Sequence, residues 1–183
     1  MNSEETKREE TKQVYVTTGE ARICYANVWE PKKDESSGKM KYSCTVLIPK
    51  GDKETFEALK SAVISAYENG LDILKGTAKN APSLGSIKIP LRDGDEERPE
   101  DPIFSGCIFL NATSIYAPDV YDLEKNLIQD HDEVYSGCFC RVALKLFAYN
   151  TKGGRGIGAG LVALQKVGDG EPLGSKINTA DLF

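Results

Sequence analysis

The sequence predicts a mostly-β domain, a β-barrel with one inserted α-helix and long irregular loops. Three observations carry that expectation. GCFCRVALKLFAYN and GIGAGLVALQKV flank TKGGR, the strongest hairpin signal in the chain. KMKYSCTVLIPK alternates, with Met40, Tyr42, Cys44, Val46 and Ile48 on one face and Lys41, Ser43 and Thr45 on the other. One stretch has firm helical spacing: Phe56, Leu59, Val63, Ala66 and Tyr67 form a stripe, Asp52 can cap its start, and Asn69-Gly70 supplies its stop.

The other segments follow in chain order. Residues 1–12 are almost wholly polar and charged and are expected to form a loose tail. Residues 13–30 are rich in β-branched and aromatic side chains and are broken at Thr18-Gly19, which predicts a long bent strand or two strands joined at a bulge. PKKDESSGK (31–39) reads as a polar loop, and a second short helix is weakly signalled around 71–79. SIKIPLR (86–92) reads as a short edge strand, because Pro90 lacks a ladder donor. Residues 93–102 read as a loop, 104–116 as a strand and 117–135 as an acidic irregular connection. The expected organisation is a tail over 1–12, one domain over 13–168 and a second tail over 169–183.

Composition narrows the function. The chain has 183 residues, 23 Lys plus Arg against 28 Asp plus Glu, and a formal net charge of −5. No run approaches the roughly 20 apolar residues of a membrane span, and the polar start is no secretory signal. Five cysteines (24, 44, 107, 138, 140) include no Cys-x-x-Cys pair, so reduced core cysteines of a cytosolic protein are expected, with no metal site. His131 is the single histidine and has no nucleophile signature nearby, and no phosphate-binding glycine loop is present. Neither hydrolase chemistry nor a cofactor is expected. Asp93, Asp95, Glu96 and Glu97 resemble loose metal ligands but lack regular spacing, so a charged surface turn is expected there.

A net charge of −5 argues against a nucleic-acid partner until it is resolved by position. Residues 93–103 hold six acids against Arg98, and residues 117–135 hold six against Lys125, so each segment carries −5. Everything else then carries +5. On the strand over 138–150, the even positions Cys138, Cys140, Val142, Leu144, Leu146 and Ala148 form an apolar inward face. The odd positions place Phe139, Arg141, Lys145, Phe147 and Tyr149 outward, with Lys152 and Arg155 at the hairpin tip. Aromatic rings stack on unpaired bases and cations neutralise phosphates, so this face is a candidate for single-stranded nucleic acid; an interface for a protein partner fits it as well. Trp29, alternating with Tyr25 and followed by Lys32 and Lys33, could extend the candidate surface, although a tryptophan here is more often a core residue. Lys39 and Lys41 complete the set.

CYANVWEP (24–31), KYSCTVLIPK (41–50), IPLRDGDEERPEDP (89–102), GCIFLNATS (106–114), EVYSGCFCRVALKLFAYN (133–150), GIGAGLVALQKVGDGEPLG (156–174) and the terminal DLF together resemble phage-encoded single-stranded DNA-binding proteins. The likeness runs over about residues 20–183, and LRDGD-x-ERP is its most specific string. It implies an OB fold, a five-stranded barrel with an inserted helix. It also implies sequence-tolerant single-stranded DNA binding in phage replication, recombination or repair, in the host cytoplasm and without catalysis. Many such proteins end in an acidic tail capped by Phe that recruits partner enzymes. Leu182 and Phe183 keep that apolar end and are candidates for contact with phage or host replication proteins, although the tail holds few acids. A homodimer is compatible with the aromatic face. The competing expectation is a phage structural or adaptor protein that uses the aromatic face and the Leu-Phe end for protein contacts.

Overall fold

The computed structural model describes residues 13–173. Within these residues eight strands form: β1 (Val14–Thr17), β2 (Ala21–Lys33), β3 (Met40–Pro49), β4 (Arg92–Asp93), β5 (Cys107–Ser114), β6 (Asp119–Tyr121), β7 (Phe139–Thr151) and β8 (Gly154–Gly168). Among the described residues three α-helices join them: α1 (Lys53–Asn69), α2 (Leu71–Lys75) and α3 (Gly94–Glu97).

The sheet closes on itself. β2 pairs with β3, β3 with β5, β5 with β8, and β8 with β7, which returns to β2 through Ala21↔Cys140 and Arg22↔Phe139. Every pairing in this ring is antiparallel except β5–β8, a parallel contact at Thr113↔Gly160. β1 continues along the β7 edge at Leu144, Lys145 and Leu146, β6 lies parallel on β8, and β4 lies on β5. Thr18-Gly19 is the break between β1 and β2 foreseen in the sequence. The fully buried Thr18 accepts from Val142 N–H at 3.0 Å and keeps that backbone donor satisfied.

The inward positions of β7 are buried as its alternation requires, and they meet Ile23, Val46 and Leu110 inside the ring. Helix α1 plugs the interior with Leu59, Ala62, Val63 and Ala66. Asp52 caps it, accepting from Thr55 N–H at 3.1 Å. At its far end a β-carbon on Gly70 would lie 2.2 Å from the β-carbon of Ala148, so the helix reaches β7 only because that residue is glycine.

Several expectations are corrected. β2 runs on through 31–33, which leaves only 34–39 as the loop. The 86–92 stretch is no continuous edge strand: Lys88 bridges Gly156, Pro90 interrupts, and only Arg92 and Asp93 pair with β5. The acidic 93–102 segment contains α3, because Asp93 caps it by accepting from Asp95 and Glu96 N–H. The 117–135 connection contains β6 and a 3₁₀ turn, His131–Glu133. Residues 44–48 of β3 are buried on both faces, not one. The second face is covered by a satellite cluster of Cys24, Leu47, Phe104 and Phe109, sealed beneath the 93–106 strap. Residues 169–173 pack on the domain: Arg22 Nη2 donates to Glu171 O at 2.7 Å and Leu173 N–H donates to Ser136 O at 2.8 Å. The segments 1–12 and 174–183, with Leu182 and Phe183, lie outside the described residues.

All five cysteines are free thiols, and Cys24, Cys44, Cys138 and Cys140 are buried. Burial pushes the Cys24 thiol up to about 11 and Cys44 up to about 12. Burial keeps a reagent from the other four, even from Cys138, whose thiol is lowered by its contact with Cys140, so a thiol reagent at pH 8 is expected to label only the half-buried Cys107 in the native chain, and all five after denaturation. Mass spectrometry of the labelled peptides checks this, and rapid native labelling of Cys44 would contradict the packing.

Candidate nucleic-acid interface

The outer surface of the ring is built by strand register. Asn27 lies opposite Ser43, Ser43 opposite Thr113, Thr113 opposite Gly160, Gly160 opposite Lys145, and Lys145 opposite Tyr15. One outward row of mostly small or polar residues thus crosses all the ring strands. Two hollows adjoin it. The first, about 400 Å³, is lined by Asn27, Lys32, Lys33, Asp34, Glu35, Lys41, Ser43 and Thr113. The second, about 520 Å³, is lined by the 88–92 segment, Glu97, Asn111, Tyr149 and residues 157–159, so Ile89, Leu91 and Ile157 stand in it beside Lys88 and Arg92. Thr113 and Asn111 share one face of β5 two residues apart, so the two hollows adjoin on that face, and together they are called the groove. It runs from the 34–39 loop to the β7–β8 hairpin.

Its electrostatics follow from which charges are already paired. Lys41 Nζ lies 3.1 Å from Asp34 Oδ2. The Ser37 hydroxyl, Lys41 and the Ser36 hydroxyl together hold the Asp34 carboxyl well below the usual carboxylate range. Arg92 pairs with Glu97 at 2.6 Å. Lys32, Lys33, Lys39, Lys145, Lys152 and Arg155 have no ion pair among the described residues, which leaves six cations available for phosphates around the groove and its hairpin end. The acidic strap does not add a free carboxylate pair. Lys50 Nζ sits 2.9 Å from Asp93 and 2.8 Å from Asp95, and its hydrogen bonds depress both carboxyls. Asp95 also accepts from Gly106 N–H at 3.0 Å. These acids fasten the strap over Phe104 and Phe109, and among the described residues no cluster of potential metal ligands forms.

The predicted site residues divide. Phe147 is 42% exposed, and its ring lies over Gly158, where a β-carbon would come 2.9 Å from the ring edge. Lys145 stands beside it, Tyr149 lines the groove, and Lys152 and Arg155 occupy the hairpin end. Lys88 secures that end by donating from Nζ to Gly153 O at 3.0 Å. Lys39 and Lys41 flank the opposite end.

The structure does not bring Arg141, Phe139 or Trp29 into the groove. Arg141 lies farther down β7, donating to Thr18 O at 3.3 Å beside a separate apolar trough of about 390 Å³ formed by Thr17, Tyr121, Lys125, Ala143 and Ala163. Phe139 is tucked under Gly170 and the Arg22 guanidinium. Trp29 Nε1 donates to Val134 O at 3.0 Å, and its ring stacks on His131 at 4.3 Å, so both its edge and a face are spent fixing the 131–134 segment. Alternation gives the side of the sheet on which a residue emerges, but not what comes to cover it. Sequence reasoning also missed Tyr15, Lys88, Arg92, Ser43, Asn111 and Thr113. Lys88 and Arg92 show in the sequence as two cations in one short apolar segment, but the polar row is defined only by register between strands distant in the chain.

The chain matches a family model described as Enterobacter phage Enc34, ssDNA-binding protein, over residues 14–183. Among solved structures it is similar to the single-stranded DNA-binding protein from bacteriophage Enc34 in complex with ssDNA. That similarity has 26% identity and a TM-score of 0.70, over 88% of this chain and 90% of that one. A second structure of the single-stranded DNA-binding protein from bacteriophage Enc34 gives 25% identity and a TM-score of 0.66, over 92% of this chain and 89% of that one. The gp2.5 single-stranded DNA-binding protein encoded by bacteriophage T7 shares the fold, with a TM-score of 0.63 at 15% identity over 93% of this chain and 95% of that one. A search of curated proteins finds no match. With a groove of polar floor, aromatic margin and unpaired cations on a closed five-stranded ring, and a family match over nearly its whole length, the chain belongs to the Enc34-type family of phage single-stranded DNA-binding proteins.

Proposed function

We propose that this protein binds single-stranded DNA without sequence preference, in the groove between the 34–39 loop and the β7–β8 hairpin, during phage DNA replication, recombination or repair. The observation that carries the reading is the groove itself: an exposed Phe147 with Tyr149, Lys145, Lys152 and Arg155 on the hairpin side, Lys32, Lys33 and Lys39 on the other, and a row of small and polar residues between them. Stacking on Phe147 and Tyr149 is indifferent to base identity because every base has a π-face, and the cations meet the phosphates. A duplex hides those faces, so the groove selects unpaired strands. The chain acts by binding, without catalysis, inside the infected bacterial cell. Leu182 and Phe183 serve as contacts for replication proteins, and the aromatic face is open to a homodimer. No helix among the described residues is long and apolar enough to cross a membrane.

Fluorescence-anisotropy titration of labelled oligo-dT at several salt concentrations tests the reading. Each phosphate neutralised on a single strand contributes about −0.7 to the slope of log K against log salt, so engagement of all six cations gives a slope of about −4. Lys145→Ala is expected to reduce that slope by about 0.7. A salt-independent affinity, or equal affinity for duplex, would count decisively against it.

A further inference from the structure

We infer that Tyr25 is a base-stacking residue at the β2 end of the groove, held outward by a β-bulge. The inference rests on the single-stranded DNA reading and adds to it a contact on the strand opposite the hairpin.

From Cys24 to Asn27, β2 advances three residues while its partner β3 advances two, from Thr45 to Ser43. One residue is therefore extra, and the ladder bulges there. Tyr25 takes up the distortion with φ +48°, in the left-handed region where a β-carbon crowds the following carbonyl. Among the described residues the only other non-glycine with positive φ is Lys125. That lysine sits in a tight turn closed by Asp122, whereas Tyr25 lies within a 13-residue strand.

The surroundings hold this conformation in place. Asn27 Nδ2 donates to Tyr25 O at 3.2 Å and to Ser43 Oγ at 3.3 Å, and Ala26 N–H donates to Ser136 Oγ at 2.9 Å. The backbone groups freed by the bulge thus have partners, while the side chain gains none. The Tyr25 ring is 64% exposed, with neither a stacking neighbour nor a partner for its hydroxyl among the described residues. It emerges between Cys24, sealed under the strap, and Asn27, which lines the groove, and the free Lys32 and Lys33 follow on the same strand. Strained backbone that presents a bare aromatic ring at the margin of a cationic groove is the arrangement a stacking contact needs. The ring takes a base while Lys32 and Lys33 take the adjoining phosphates.

The test uses the full chain and oligo-dT, with Phe147→Ala measured alongside. Tyr25→Gly is expected to weaken binding roughly 5- to 150-fold, the range for loss of one stacked base. Its melting temperature is expected to stay the same or rise by about 2–4 °C, since glycine accepts this φ freely. Tyr25→Phe keeps the ring and is expected to bind like the unmodified chain. Photo-crosslinking to an oligonucleotide carrying 5-iodouracil is expected to mark the peptide containing Tyr25. Unchanged affinity in Tyr25→Gly overturns the assignment, and so does an equal loss in Tyr25→Phe, or crosslinks to Phe147 with none to Tyr25. If Phe147→Ala and Tyr25→Gly both bind as the unmodified chain does, the groove reading itself falls.

Discussion

Replacing Phe147 and Tyr149 together by alanine is expected to weaken oligo-dT binding by at least about 30-fold, about 2 kcal/mol, while leaving the fold intact. Loss of one stacked ring typically costs about 1–3 kcal/mol, and two rings on alternate positions of one strand serve neighbouring bases. Both side chains point out of the ring, and neither belongs to the cluster that fills it. Phe147 rests on Gly158, whose missing side chain provides the floor for its ring. Removing the two rings therefore uncovers backbone on the outer face without opening a cavity in the core. The two effects separate experimentally: anisotropy with oligo-dT reports the loss of affinity, and urea denaturation is expected to shift little. A double variant that binds at full strength would move the stacking surface elsewhere.

Phe109→Ala is expected to have the largest effect on stability, about 3–5 kcal/mol, the usual cost of emptying a buried phenylalanine site. Phe109 is fully buried outside the ring and meets Phe104 edge-to-face at 4.9 Å, with an interplanar angle of 77°. The guanidinium of Arg92 lies 5.2 Å from its centroid and that of Arg98 6.0 Å. These contacts are the apolar half of the clamp whose polar half is Lys50 between Asp93 and Asp95. Losing the ring loosens the strap and exposes the outer side of β3 and β5, which also carries the groove floor. Urea denaturation monitored by circular dichroism measures the loss. A cost below about 1 kcal/mol would show that the strap holds by its ion pairs alone, which exposed pairs rarely do.

Local pattern decided much of this architecture. The β7–β8 hairpin was legible because Lys152-Gly153 joins two long alternating runs, and the inward face of β7 because Cys140, Val142, Leu144 and Leu146 leave no polar interruption. Helix α1 was legible from its stripe and from Asp52. The strap was not. Acidic, glycine- and proline-bearing 93–102 has every mark of a solvated loop, and its burial of Phe104 and Phe109 depends on Lys50, which is more than forty residues away in sequence. The two faces of residues 44–48 were misjudged for the same reason, since half of their cover is non-local.

The candidate site divides along the same line. The outward side of Lys145, Phe147 and Tyr149 was legible because the period of a strand is two, and the place of Lys39 and Lys41 because they flank a turn. Arg141 and Phe139 share that period yet lie outside the groove, because coverage by residues 169–173 and by β1 has no trace in the β7 sequence. Trp29 and Tyr25 alternate on paper, but β2 loses register with β3 between Cys24 and Asn27 and again between Asn27 and Lys32, and Trp29 goes to the 131–134 segment while Tyr25 stays exposed.

The sequence by itself determined the β-rich class, the helix, the hairpin, the separation of a −5 net charge into two acidic segments and a +5 remainder, and the family. All of these reside in short-range pattern or in motif strings. Only the tertiary structure decided which outward residues form one groove and which cations remain unpaired. Those depend on register and on ion pairs between segments distant in the chain, and a one-residue slip of register would change every one of them.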